Sequence, residues 1–244
     1  MIKKIGFYIT FIFLFAVIAY SIKATNEKND ELNKTTEQEE SCSQLYNEMG
    51  LGRIIRFDVF KKAYSGYRKI DVKNRDILTV IDYSRPSTEK RLYVLDLKNK
   101  KLLFESHVSH GRNSGGNYAT SFSNKPGSYK SSPGFYVTEN TYQGKNGYSL
   151  VLDGLEKGIN DKAKERAIVM HGADYCNPSF ISSGGGRLGR SLGCPAVPRS
   201  VCNPIINTIK DGTLLYIHVN DNEYLTKSEF TSPDKVNSHY STSF

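Results

Sequence analysis

Cys194 stands in the run Gly189-Arg190-Ser191-Leu192-Gly193-Cys194-Pro195, 23 residues after the pair His171-Gly172. A thiol between a glycine and a proline, with an imidazole upstream, is the set of parts a cysteine nucleophile needs. The thiolate is the reactive species, and a free thiol with a pKa near ~8.5 is mostly protonated at neutral pH. A neighbouring histidine can accept that proton. Pro195 suits the first position of a helical turn, which would set Cys194 at an N-cap, where the helix dipole favours a thiolate. Because Pro195 has no N–H, oxyanion donors must come from Cys194, Gly193 or elsewhere.

The other candidates are weaker. His110-Gly111 is a second His-Gly pair, able to serve as base or to line the cleft. Ser191 can orient the imidazole or cap a turn. Gly193 lets backbone approach a tetrahedral intermediate. Asp174, three residues after His171, is a candidate triad acid, although such spacing more often makes a turn. His218 alternates with apolar neighbours and reads as structural. A zinc set from His171, Cys176, Cys194 and Cys202 is conceivable by ligand type, but its spacing matches no common zinc pattern. The sequence therefore implies no metal and no cofactor.

These groups need a scaffold, and the hydrophobic periods suggest one. Ile55, Val59, Ala63 and Tyr67 make a helical stripe over residues 53–67. From residue 76 the period becomes two. Strands are expected at Ile77–Tyr83, Arg91–Leu97, Lys101–Val108, Gly134–Thr138, Tyr148–Leu152, Ala167–Met170 and Leu214–Val219. Asn203, Pro204 and Gly212 bracket a helix as N-cap, first turn and C-terminal stop. The domain expected is mainly β, a sandwich or barrel with a few short helices and an N-terminal helical lead-in.

The chain has 244 residues and a net charge of +8, unevenly spread. Residues 25–44 carry −4, and residues 45–244 carry +9. The amino terminus, Met1-Ile2-Lys3-Lys4, precedes an uncharged apolar run over 5–22, a secretory pattern long enough to remain as a membrane anchor. Ala19-Tyr20-Ser21 offers a cleavage site, so cleaved signal and retained anchor both stay open. Export argues against nucleic acid and favours an anionic envelope polymer as partner of the basic part. It also makes a Cys176–Cys202 disulfide conceivable. The expected order is signal or anchor (1–24), polar disordered linker (25–44), helical lead-in (45–75), catalytic domain (76–220) and polar tail (221–244).

The runs HGADY…GRLGRSLGCPAVP, GFYVTE, YATSFSN, SHGRNSG and RLYVLDLKNKKLLF resemble the L,D-transpeptidase (YkuD-like) family, in its murein L,D-transpeptidase catalytic domain subgroup, over roughly residues 45–220. The resemblance implies a β-rich fold and acyl transfer on peptidoglycan stem peptides through a thioester. Carried onto this chain, Cys194 is the nucleophile, His171 the base, and Ser191 or the Gly172 carbonyl orients the imidazole. Leu192 stands where the common pattern often has His or Arg. Pro195 and Ala196 replace an apolar residue and an Arg after the nucleophile. Arg190, Arg187 and Arg199 are the candidates to take over from that Arg. Crosslinking by an amine acceptor, trimming by water as an L,D-carboxypeptidase, and a non-catalytic envelope-binding module remain open. A sortase also orders His before Cys, but its Thr-rich approach to the Cys is missing here.

Overall fold

The computed structural model describes residues 20, 23, 25, 26, 33 and 36–231. The apolar run over 5–22 lies outside them apart from Tyr20. Among the described residues no helix is long and apolar enough to cross a membrane. The chain divides into Met1–Gln44 and Leu45–Phe244. The described residues of the first unit are helical, and residues 36–48 form a helix (α1).

The second unit holds the lead-in and all the strands. α2 (Phe57–Lys69) buries Val59, Phe60, Ala63 and Gly66. That stripe follows the four-residue spacing, and α2 lies flush on the sheet. A Cβ added at Gly66 would sit 2.1 Å from the Phe135 ring, so only glycine permits the approach.

Eight strands follow: β1 (Ile77–Asp82), β2 (Leu92–Asp96), β3 (Lys101–Ser106), β4 (Gly134–Gly144), β5 (Gly147–Gly154), β6 (Val169–Gly172), β7 (Ala196–Val197) and β8 (Leu214–His218). They form one mixed sheet in the order β3-β2-β1-β8-β4-β5-β6-β7. The pairs β1–β8 and β6–β7 are parallel and the rest antiparallel. Every residue of β1 and β8 is buried, as expected for central strands covered on both faces. Beyond β3, Ser109 bridges Ala196 of β7, so the two edges of the sheet meet and the fold nearly closes into a barrel. The fold is mainly β, as the periodicity implied.

Three local expectations are corrected. Pro195 opens no helical turn, because β7 follows it at once. The two apolar residues of β7 are too few to show a period. The helix expected to start at Asn203 is α4 (Arg199–Ile209), entered from Pro198, with Pro204 inside it. Pro204 forfeits only the one bond to Ser200 O, which lets Ile205, Ile206 and Ile209 bury against the sheet. The polar tail begins with α5 (Asn222–Lys227), capped by Asp221, whose Oδ1 accepts from Glu223 N and Tyr224 N. Beyond α5, Ser228 Oγ donates to the buried Glu156 at 2.5 Å, and Phe230 packs edge-on against Phe135. The start of the tail is therefore part of the core. α3 (Phe180–Ser183) is a single turn in the loop between β6 and β7.

Candidate active site

β6 delivers His171, and β7 continues the segment that carries Cys194. His171 pairs in parallel with Ala196, and Gly172 with Val197. Cys194 is two residues before Ala196, so this register brings the segment that carries the thiol alongside the His171 end of β6. α4 presses on this end of β6. A Cβ at Gly172 would meet Cys202 Cβ at 3.2 Å and Arg199 Cα at 3.3 Å.

His171 is buried, and its Nδ1 lies 3.1 Å from the Gly172 carbonyl oxygen. A carbonyl only accepts, so Nδ1 carries the proton and Nε2 is the acceptor in the neutral ring. Burial lowers the imidazole pKa below its usual value, and the Arg199 cation lowers it further, while the Gly172 bond opposes both. The ring is neutral at pH 7 and able to receive a proton.

Cys194 is half-buried, and its thiol points at the Ala167 carbonyl, 3.6 Å away. No hydrogen bond links Cys194 to His171 among the described residues, an arrangement common before substrate closes a catalytic pair. Burial raises the thiol pKa, while backbone N–H groups of Val169 and Cys194 and the Arg166 cation hold it down. The thiol is thus protonated at rest and depends on a base.

The turn that leads into Cys194 is built by Ser191. Its Oγ accepts from Gly193 N–H at 3.1 Å and donates to the Cys194 carbonyl at 2.6 Å. Ser191 therefore folds the turn and does not hold the imidazole. Gly193 N–H is committed to Ser191, which removes it as an oxyanion donor. Gly193 has φ 129°, and a Cβ there would meet Lys130 O at 2.9 Å. Its carbonyl accepts from Ser131 Oγ at 3.1 Å. The 193–194 peptide is trans, so Cys194 N–H points the opposite way, on the thiol side.

His110 does not line the cleft. It is fully buried, and its Nδ1 accepts from Arg91 Nη2 at 2.8 Å. Burial and the adjacent Arg91 push its pKa down to about 3. Arg91 itself is fully buried over the Tyr83 ring and donates to Val108 O and Arg85 O. From this base His110 O receives Ser191 N–H and Tyr83 donates to Ser109 O, so the buried cation supports the 191–194 turn from below.

Arg190 Nη1 donates to Arg112 O and Gly115 O, and Arg187 Nη1 to Gly184 O. Arg199 pairs with Asp174 at 2.9 Å on the surface, which accounts for Asp174 without a place in a triad. Cys176 and Cys202 are free thiols, not a disulfide. Cys176 instead bonds Ser109 Oγ at 3.0 Å and Ala196 O at 3.1 Å. Among the described residues no three His, Cys, Asp or Glu gather as a metal site.

Arg166, Ser131, Arg91 and Ala167 were missed by the sequence reading. Ala167 ends the turn after β5 with φ 53°, accepted without a glycine. Its N–H reaches Lys164 O, and Ile168 N–H reaches Ala163 O, both at 2.9 Å, the paired bonds of a Schellman stop. That geometry faces the Ala167 carbonyl to the thiol. No motif marks it, since the signal residue would have been glycine.

Comparison with curated proteins finds no match. Among solved structures, the chain is similar to an L,D-transpeptidase from Mycobacterium smegmatis (12% identity, 59% of each chain covered, TM-score 0.36). It is similar to the helical cell shape determining protein from Campylobacter jejuni (16% identity, 68% of this chain and 55% of that one, TM-score 0.40). A third likeness is to an L,D-transpeptidase from Stackebrandtia nassauensis (16% identity, 73% of this chain and 76% of that one, TM-score 0.36). The chain thus spans little more than half of the first two. A family model described as the L,D-transpeptidase catalytic domain matches residues 52–218. That span takes in α2, all eight strands, His171 and the turn that carries Cys194, and the chain belongs to the L,D-transpeptidase catalytic domain family.

Proposed function

We propose that the protein is a cysteine-dependent L,D-transpeptidase that crosslinks or remodels peptidoglycan stem peptides through a thioester on Cys194. The observation that carries this reading is the parallel register of His171 with Ala196, which sets a neutral imidazole, tied through Nδ1 to Gly172 O, alongside the segment that carries Cys194.

His171 Nε2 takes the thiol proton, and the sulfur attacks the carbonyl carbon after the L-centre of the donor stem. Cys194 N–H, turned to the thiol side by Ser131, is the backbone donor for the oxyanion. The C–N bond to the terminal D-residue breaks, and His171 returns the proton to the departing amine. An amine of a second stem then attacks the thioester, losing its proton to His171 as the C–S bond breaks. Arg190, half-buried at the head of the nucleophile turn, is assigned to the donor's carboxylate, with Arg187 beside the same loop. The +9 on residues 45–244 suits an anionic wall polymer, and the run over 5–22 would deliver the enzyme to the envelope as signal or anchor.

The test is mass spectrometry of tetrapeptide muropeptides incubated with wild type and with Cys194→Ala. Crosslinked dimers from wild type alone establish the transpeptidase. Tripeptides alone establish water as the acceptor and an L,D-carboxypeptidase. No change in either, with the protein folded and reduced, overturns the enzymatic reading in favour of an envelope-binding module.

A further inference from the structure

Arg166 sits at the end of the turn that precedes β6, next to the residue whose carbonyl faces the thiol. Its side chain is locked. Nη1 donates to Ser123 O at 2.8 Å and to Ser132 Oγ, and Nη2 to Lys130 O at 2.5 Å and Ser128 Oγ at 3.5 Å. All four partners are neutral. Among the described residues no carboxylate lies within 4.0 Å of this guanidinium, whereas Arg199 and Arg85 each have one and Lys164 has two. Nη2 comes within 3.4 Å of where a Cβ on Gly193 would stand, so the uncompensated charge abuts the residue before the nucleophile.

The chemistry gives this charge a task. Desolvation disfavours the thiolate, and Arg199 disfavours the imidazolium that proton transfer creates. A fixed cation beside the sulfur offsets the first of these by stabilising the thiolate. Arginine suits the position because its planar fork holds four acceptors at once and cannot lose its charge.

We propose that Arg166 is the fixed cation that stabilises the Cys194 thiolate once His171 has taken its proton. The proposal rests on Cys194 being the nucleophile. It assigns Arg166 an electrostatic and positioning role: the guanidinium is occupied by the 123–132 segment and is not a substrate ligand. The titratable groups whose charge bears on the thiol are Arg166 from the turn before β6, Tyr175 from the turn after β6 and Tyr83 from the end of β1. Only Arg166 among them is charged at pH 7.

The experiment is the rate of Cys194 alkylation by iodoacetamide against pH, read by intact mass, for wild type, R166Q, R166K and S132A, with folding checked by circular dichroism. R166Q is expected to move the midpoint up by about one unit and to slow alkylation about tenfold at pH 7. R166K, which keeps the charge, should stay within about threefold of wild type. S132A, which removes a clamp partner and keeps the cation, should leave the midpoint in place. A wild-type midpoint in R166Q overturns the proposal. So does an equal shift in S132A, which would make Arg166 a loop clamp. If R166Q does not fold, a full-unit shift in folded R166K overturns it. Alkylation needs no stem peptide, so failure here is distinct from failure of the crosslinking test.

Discussion

Ser191 Oγ donates to the Cys194 carbonyl oxygen at 2.6 Å while accepting from Gly193 N–H at 3.1 Å. One hydroxyl thereby closes the turn on which Cys194 stands. Ser191→Ala leaves the buried Gly193 N–H without its partner, at a cost of about 1–3 kcal/mol. The expected outcome is a lower unfolding midpoint in urea and slower alkylation of Cys194. The pH at which alkylation is half-maximal should not move, since His171 is not held by Ser191. A moved midpoint would return Ser191 to the role of orienting the base.

As the proposed base, His171 must be neutral to accept the thiol proton, and burial lowers its pKa below 6.5. As pH falls, the rate of muropeptide crosslinking should therefore hold through 6.5 and decline only beneath it. A pH–rate profile with its acid limb centred above 6.5 contradicts this. In His171→Ala the limb should disappear and reactivity at pH 7 should fall by about 10²–10⁴-fold, the usual worth of a general base.

Glu156 is buried and accepts from Phe135 N, Ser228 Oγ and Tyr224 OH, which fastens α5 to the sheet. Burial raises its pKa from 4.5 to about 7. The folded state thus binds the proton more tightly than the unfolded chain. The stability this carboxyl contributes is full below about 4.5 and is lost as pH rises through 7. Glu156→Gln, which has no proton to lose, should gain melting temperature relative to wild type between pH 5 and pH 8. A difference that stays constant with pH would mean the carboxyl is ionised throughout.

Ala167 holds φ 53° without a glycine's freedom. Ala167→Gly removes the Cβ conflict and keeps the carbonyl, so a stabilisation of about 0.5–1 kcal/mol is expected from urea unfolding. Alkylation of Cys194 should change less than twofold. A large loss of reactivity would show that the turn needs alanine's restriction to aim its carbonyl.

Cys176 and Cys202 are buried free thiols with pKa values raised by burial to about 12 and about 11. Peptide mapping after iodoacetamide treatment of the native protein should find Cys194 modified and these two untouched. Both should react once guanidinium is added. Resistance that persists in denaturant and ends with a reductant would establish the disulfide.

The β-rich fold was legible because seven strands carry an apolar run or a period of two, and because α2 carries its stripe at Val59 and Ala63. β7 was not, since two residues are shorter than one period. α4 starts at Arg199 rather than Asn203 because burying Ile205, Ile206 and Ile209 outweighs one bond lost at Pro204. Arg91 and His110 were illegible as buried groups, because nothing in a chain distinguishes a surface arginine from one paid for by carbonyls it meets only after folding.

The sequence by itself determined the residue types and chain order of the chemistry: a His-Gly pair at a strand end, and a thiol between glycine and proline. Periodicity and local motif reach only a few residues, and those groups lie within that reach. Tertiary structure decided which partner each group has. Ser191 turned from the base to its own loop, Gly193 N–H was consumed, and His110 sank beneath the site. Arg166 came beside Gly193 across 27 residues of chain. Those outcomes depend on the closure of the sheet at Ser109 and Ala196, a contact between residues 87 positions apart that no local pattern encodes.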